Sequence, residues 1–224
     1  MKSKKLIIGI IIFVIIAGFS GWFIYRDLKH AKESPKVGPL ENKTETPAAA
    51  SSAPSADNTG EIKKQMPDLD REIIIKENLS EESKNRAISE IKIIIATLKA
   101  DYDQREEWLN LGIWRKTIGD YEGAAEAWKF ATIIRPNDPV AFHNLGELYW
   151  LHIPNFPLSE KYFLKAIEIG PKNSLFYLKL HELYRYSYKE KVGLADDILV
   201  QGIKATDDPG LKRELEDYRK EMGQ

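Results

Sequence analysis

The side chains with the widest chemical reach in this 224-residue chain include four histidines and two adjacent aspartate pairs. The histidines are His30, His143, His152 and His181; the acid pairs are Asp196-Asp197 and Asp207-Asp208. Histidines grouped with carboxylates can hold a divalent cation, and carboxylates with split pKa values can serve as general acid and base. The spacing argues for neither. No HExxH or other paired-histidine motif is present, and His143, His152 and His181 read as groove or packing residues. The acid pairs fall near predicted helix starts or turns, where a carboxylate favours the helix dipole. There is no Walker loop, no GxSxG and no dinucleotide fingerprint. The absence of cysteine removes disulfides, thiolate metal sites and cysteine nucleophiles. No catalytic residues, no metal and no cofactor are expected, and the chain reads as a non-enzyme.

Chemistry by contact is better represented. Trp114, Tyr149, Trp150, Tyr162, Tyr177, Tyr184, Tyr186 and Tyr188 are mostly expected between helices. Trp150 and the Tyr184–Tyr188 cluster are candidate exposed anchors, for a protein or for stacking on a sugar, because Trp and Tyr dominate binding hot spots. The net charge is −1, so no basic field calls for nucleic acid. From Met66 onward 28 Asp/Glu stand against 23 Lys/Arg, a net of −5, which leaves room for a weakly basic partner.

Three kinds of segment must position these residues. The first, 1–30, is a transmembrane anchor: Leu6 to Tyr25 carries no charge over twenty positions, and about twenty helical residues span a bilayer core of about 30 Å. Trp22, Phe23 and Tyr25 suit its headgroup end. Lys2, Lys4 and Lys5 favour a cytoplasmic N-terminus, with Arg26, Lys29 and Lys32 weakening that argument. A cleaved signal peptide is the rival reading, supported by Gly18 and Ser20 at cleavage-type spacing. Both readings export the remainder; a cytoplasmic domain would need the opposite topology. The second segment, 31–65, contains Pro35, Pro39, Pro47 and Pro54 and almost no apolar side chains, and reads as a flexible tether. Thirty-five such residues have an r.m.s. span of about 30–35 Å.

The third segment is periodic. Trp108-x2-Leu111-Gly112, Gly119-Asp120-Tyr121, Ala124, Trp128, Ala131 and Pro136 form one unit. Phe142-x2-Leu145-Gly146-x2-Tyr149, Phe163, Ala166 and Pro171 form a second. Trp108 to Phe142 is 34 residues and Pro136 to Pro171 is 35. A weaker copy runs Tyr177-x2-Leu180-His181-x2-Tyr184, Ala195, Leu199 and Gly202. This set in register resembles the tetratricopeptide-repeat family over roughly 105–209. It departs from the family pattern at Arg115, where an aromatic is usual, at Ser159, where alanine is usual, and at His181, where glycine is usual.

The resemblance implies an all-α fold: an α-solenoid of about three helix pairs, at 105–138, 139–173 and 174–209. Residues 66–104 supply an extended segment and an N-terminal half-repeat helix. Within them Ser80 is a predicted N-cap, and Leu69 to Ile75 is a short β-prone run able to lie along the solenoid. Residues 210–224 supply a C-terminal capping helix. The resemblance also implies a groove on the first helices of the pairs, taking a protein or peptide ligand. Its positions are Asn110, Ile113 and Lys116, then His143, Asn144, Glu147 and Trp150, then Lys179, Glu182 and Arg185. The family's clamp for C-terminal carboxylates is kept only in part: Asn110 and Asn144 remain, but Glu147 would repel a carboxylate. The expected function is a membrane-tethered scaffold for protein–protein interaction; the alternative is a chaperone-like factor for exported or membrane proteins.

Overall fold

The computed structural model describes residues 59–223. The span expected at 6–25 and most of the expected linker lie outside them. Among the described residues no helix is long and apolar enough to cross a membrane.

The described chain is helical. A short α1 (Thr59–Lys64) is followed by an extended stretch and then α2 (Glu81–Ala100). Helix pairs follow: α3 (Arg105–Thr117) with α4 (Tyr121–Ile134), α5 (Pro139–Leu151) with α6 (Phe156–Ile169), and α7 (Ser174–Glu182) with α8 (Ala195–Thr206). The last helix is α9 (Pro209–Glu221). Each helix from α2 to α9 packs on the next in chain order, the arrangement of a solenoid. One difference from the sequence reading concerns the linker. Residues 59–64, placed in the flexible tether, form α1, because Ile62 finds a buried place against the same core as Leu69.

Local chemistry sets the helix starts. Ser80, Asp120, Asp138, Asn155, Asn173 and Asp208 each accept a backbone N–H with the side chain at the first turn of α2, α4, α5, α6, α7 and α9. Each such cap stabilises its helix by about 1 kcal/mol. The turn between α3 and α4 uses Gly119 at φ 80°, a left-handed backbone that disfavours any side chain. Pro136 and Pro171 follow the ends of α4 and α6. In the third pair, which lacks a closing proline, α8 stops instead at Asp207 in a left-handed conformation.

Small residues permit close helix approach. A Cβ built on Gly112 would stand 2.2 Å from the Trp128 indole nitrogen, and one on Gly146 would stand 2.6 Å from the Phe163 ring. The large partners fill what the glycines vacate: Trp108, Trp128, Phe130 and Phe163 are all fully buried. The unusual residues are satisfied locally. Ser159 is buried and donates its hydroxyl to the Gly146 carbonyl at 2.7 Å. His181 is buried with Nδ1 2.9 Å from the Ala195 carbonyl oxygen, its ring edge-on to Tyr218. After α7 the chain widens into a π turn over Leu183–Ser187 and then a 3-10 stretch over Lys189–Leu194. That is the longer turn of the third copy.

Candidate functional site

The groove residues expected from the sequence sit on α3, α5 and α7, the first helices of the three pairs, except Arg185, which falls in the π turn. Asn110 and Ile113 are exposed on α3, Ile113 at 45%. Lys116 is half-buried, with its ammonium 5.9 Å from the centre of the Trp128 ring. On α5, Asn144 and Glu147 are half-buried. On α7, Lys179 pairs with Glu182 at 2.8 Å.

Charges on these helices act on one buried imidazole. Burial lowers the pKa of His143; the Glu147 carboxylate opposes that shift, and the ammonium groups of Lys179 and Lys116 add to it. Four groups from α3, α5 and α7 therefore share one electrostatic neighbourhood. His152, at the end of α5, is also held below the usual histidine range, by burial and then by Lys116. Its ring stacks on Tyr121 at 4.6 Å.

Three expected groove residues play other parts. His143 turns into the core between Phe163 and Phe176, with ring centres 5.7 and 5.2 Å away, and keeps only Nε2, 3.8 Å from Glu147, toward the charged neighbourhood. Trp150 packs edge-on against Phe163 and donates its indole N–H to the Ser187 hydroxyl at 2.7 Å, tying α5 to the third pair. Arg185 reaches the last helix: it pairs with Glu214 at 2.7 Å and with Glu221, and lies over Tyr218. Position along a helix predicts these residues' register but not the neighbours that claim them. Of the tyrosine cluster, Tyr186 is 56% exposed, whereas Tyr184 is buried and donates to Glu160 at 2.6 Å. Among the described residues no three His, Asp or Glu side chains converge on a point that could hold a metal ion.

A second constellation lies at the end of α3 and the start of α4. Residues 66–79 turn at Leu69–Asp70, where the Arg71 amide donates to the Asp68 carbonyl at 3.3 Å, and then run extended from Arg71 to Lys76 against α2, the end of α3 and the start of α4. Arg115 and Asp120, both buried, pair at 2.6 Å. Arg71 joins them from the extended segment, at 3.0 Å from Asp120 and 3.2 Å from Glu126. Burial opposes ionisation of Asp120, yet the guanidinium groups of Arg71 and Arg115 and the Gly123 amide together hold its pKa below the usual carboxylate range. Arg115 also donates to the Arg71 carbonyl at 3.2 Å and the Glu72 carbonyl at 3.4 Å. The Ile118 carbonyl accepts from the Lys76 and Glu77 amides at 2.7 and 3.3 Å. The departure from an aromatic at Arg115 was the available signal; nothing in the repeat spacing pointed to its partner, Arg71.

Among solved structures, the chain is similar to that in the crystal structure of MamA, a TPR-like all-helical protein. The two align with a TM-score of 0.51 at 20% sequence identity, over 66% of this chain and 87% of the other. The fold is TPR-like. No family model matches the sequence, and no curated protein matches it. The repeat architecture therefore rests on the helix pairs themselves and on this structural likeness.

Proposed function

We propose that this chain is a scaffold for protein–protein interaction, with a protein or peptide ligand lying across the first-helix face of α3, α5 and α7. The observation that carries this reading is the row of accessible side chains on the first helices of successive pairs: Asn110 and Ile113 exposed on α3, Asn144 and Glu147 half-buried on α5, and the Lys179–Glu182 pair half-buried on α7. Exposed Asn110 and Ile113 adjoin Lys116 along α3. Paired charges beside apolar and amide groups suit an extended peptide or a helix, and TPR-like solenoids offer such faces for extended ligands. The absence of any catalytic motif fits a binding role. We assign the tether to residues 6–25, with the N-terminus cytoplasmic and the repeat domain on the outer side of the membrane; secretion after cleavage is the alternative.

The test is crosslinking and capture of the full chain from its own membranes, beside a Lys116→Glu, Lys179→Glu variant that leaves the buried residues intact. A discrete partner lost in the variant supports the scaffold. Many unfolded clients, displaced by unrelated apolar peptides, would support the chaperone-like alternative instead. A partner captured equally by the variant would remove the first-helix face from consideration. Protease accessibility of the repeat domain in sealed vesicles of known orientation tests the topology.

A further inference from the structure

We propose that the channel between α2 and α4 is a second peptide-binding site, which this chain fills with its own residues 69–77. It uses none of the groove residues named on the first-helix face and does not depend on that face binding anything. Its ligand class is an extended segment with arginine at one position, β-branched residues two and four positions later, and a lysine next to the second of them.

The channel recognises main chain and side chains separately, as a peptide site must. Arg115 donates to two successive carbonyls, and the Ile118 carbonyl accepts from two successive amides five residues further on. These contacts read an extended backbone whatever its sequence. Specificity comes from the pockets. The Arg71 guanidinium is held between Asp120 and Glu126, and Lys76 reaches Glu122 at 3.4 Å. Ile73 and Ile75 pack inward on the core, while Ile74 between them is 51% exposed. The inward residues therefore alternate as in a strand lying on a surface.

Solvent reaches one side of the occupant. An open cleft of about 450 Å³ remains beside it, bounded by Leu69–Ile73 on one side and Ile88, Lys92 and Ile95 of α2 on the other. The occupant is also joined to α2 through exposed residues, Lys76 to Asn78, so its departure would not break a helix.

The experiment uses the full chain with a protease recognition sequence inserted between Asn78 and Leu79. After cleavage, a fluorescent synthetic peptide of residues 66–79 is added and its anisotropy followed. The peptide is expected to bind the cut protein and not the uncut one. A peptide carrying Arg71→Ala is expected to bind at least about tenfold more weakly, the range for losing a charge-assisted hydrogen bond. Equal binding of the two peptides overturns the proposal. So does binding to cut and uncut protein alike, or no binding while circular dichroism stays helical. If cleavage itself melts the helices, recovery of the helical signal on adding the native peptide, but not the Arg71→Ala peptide, supports the site; no recovery overturns it.

Discussion

Replacing Arg115 by tyrosine separates two ways of reasoning about this chain. The repeat pattern carries an aromatic at that place, so a consensus argument expects Arg115→Tyr to stabilise the domain, as consensus changes commonly do by about 0.5–2 kcal/mol. The structure predicts the opposite. Arg115 and Asp120 form a buried pair at 2.6 Å with side-chain exposures of 2% and 5%. Removing one member of such a pair costs about 3–5 kcal/mol. Arg71 and the Gly123 amide still hold Asp120 after the change, which favours the lower end, about 3 kcal/mol. The assay is equilibrium urea unfolding at pH 7, reading the midpoint at unchanged slope. For a folded unit of this size the same loss lowers Tm by roughly 6–12 °C. Combining Arg115→Tyr with Arg71→Ala should give a coupling of about 1 kcal/mol or more, since both groups serve Asp120. A variant as stable as the parent, or strict additivity of the two changes, would refute the claim that the extended segment and the first pair share one polar network.

Three further outcomes follow from the same coordinates. Gly112→Ala should destabilise by about 2 kcal/mol: overpacking against Trp128 and loss of its bond to the Leu109 carbonyl outweigh a helix-propensity gain of about 1 kcal/mol, whereas Gly193→Ala, with open space around it, should shift urea midpoints little. Because burial first, and then Lys179 and Lys116, lower the pKa of His143 in the folded state, protons bind the unfolded chain more readily; stability should therefore decline as pH falls below about 6.5, and His143→Leu should flatten part of that decline in unfolding curves measured from pH 7.5 to 5. Asp120 has the folded pKa depressed, so its contribution is present above about pH 3.9 and is lost as pH falls through the lower folded value; Asp120→Asn should remove that part of the acid transition between pH 4 and 2.

The helix pairs were legible in the sequence because repeats impose a spacing that survives weak identity. Trp108 and Phe142, Gly112 and Gly146, and Pro136 and Pro171 each recur at nearly one period, and each pair meets the same physical demand in the structure. Ser80 as a cap was legible from local chemistry, and so was the extended run, although it begins at Arg71 because Leu69 and Asp70 form a turn. What escaped was the fate of residues whose partners come from elsewhere in the chain. Arg185 has a groove register, but Glu214 and Glu221 of α9 claim it. His143 has the same kind of register, but Phe163 and Phe176 enclose it. The helix α1 was hidden because a single buried isoleucine, Ile62, anchors it within an otherwise polar stretch. The Arg71–Asp120 contact spans 49 residues and obeys no period, so no repeat argument could find it.

The last helix also bears on how copies of the array can meet. Leu211 and Tyr218 face inward on α9, while Lys212, Arg213, Glu216, Asp217 and Lys220 face water. A further helix pair, or the front of another copy, would have to strip hydration from that charged face with no apolar area to gain. Open solenoids can join end to end into filaments; the charged outer face of α9 opposes such joining on this side, because contact there would cost hydration without a return in buried apolar area.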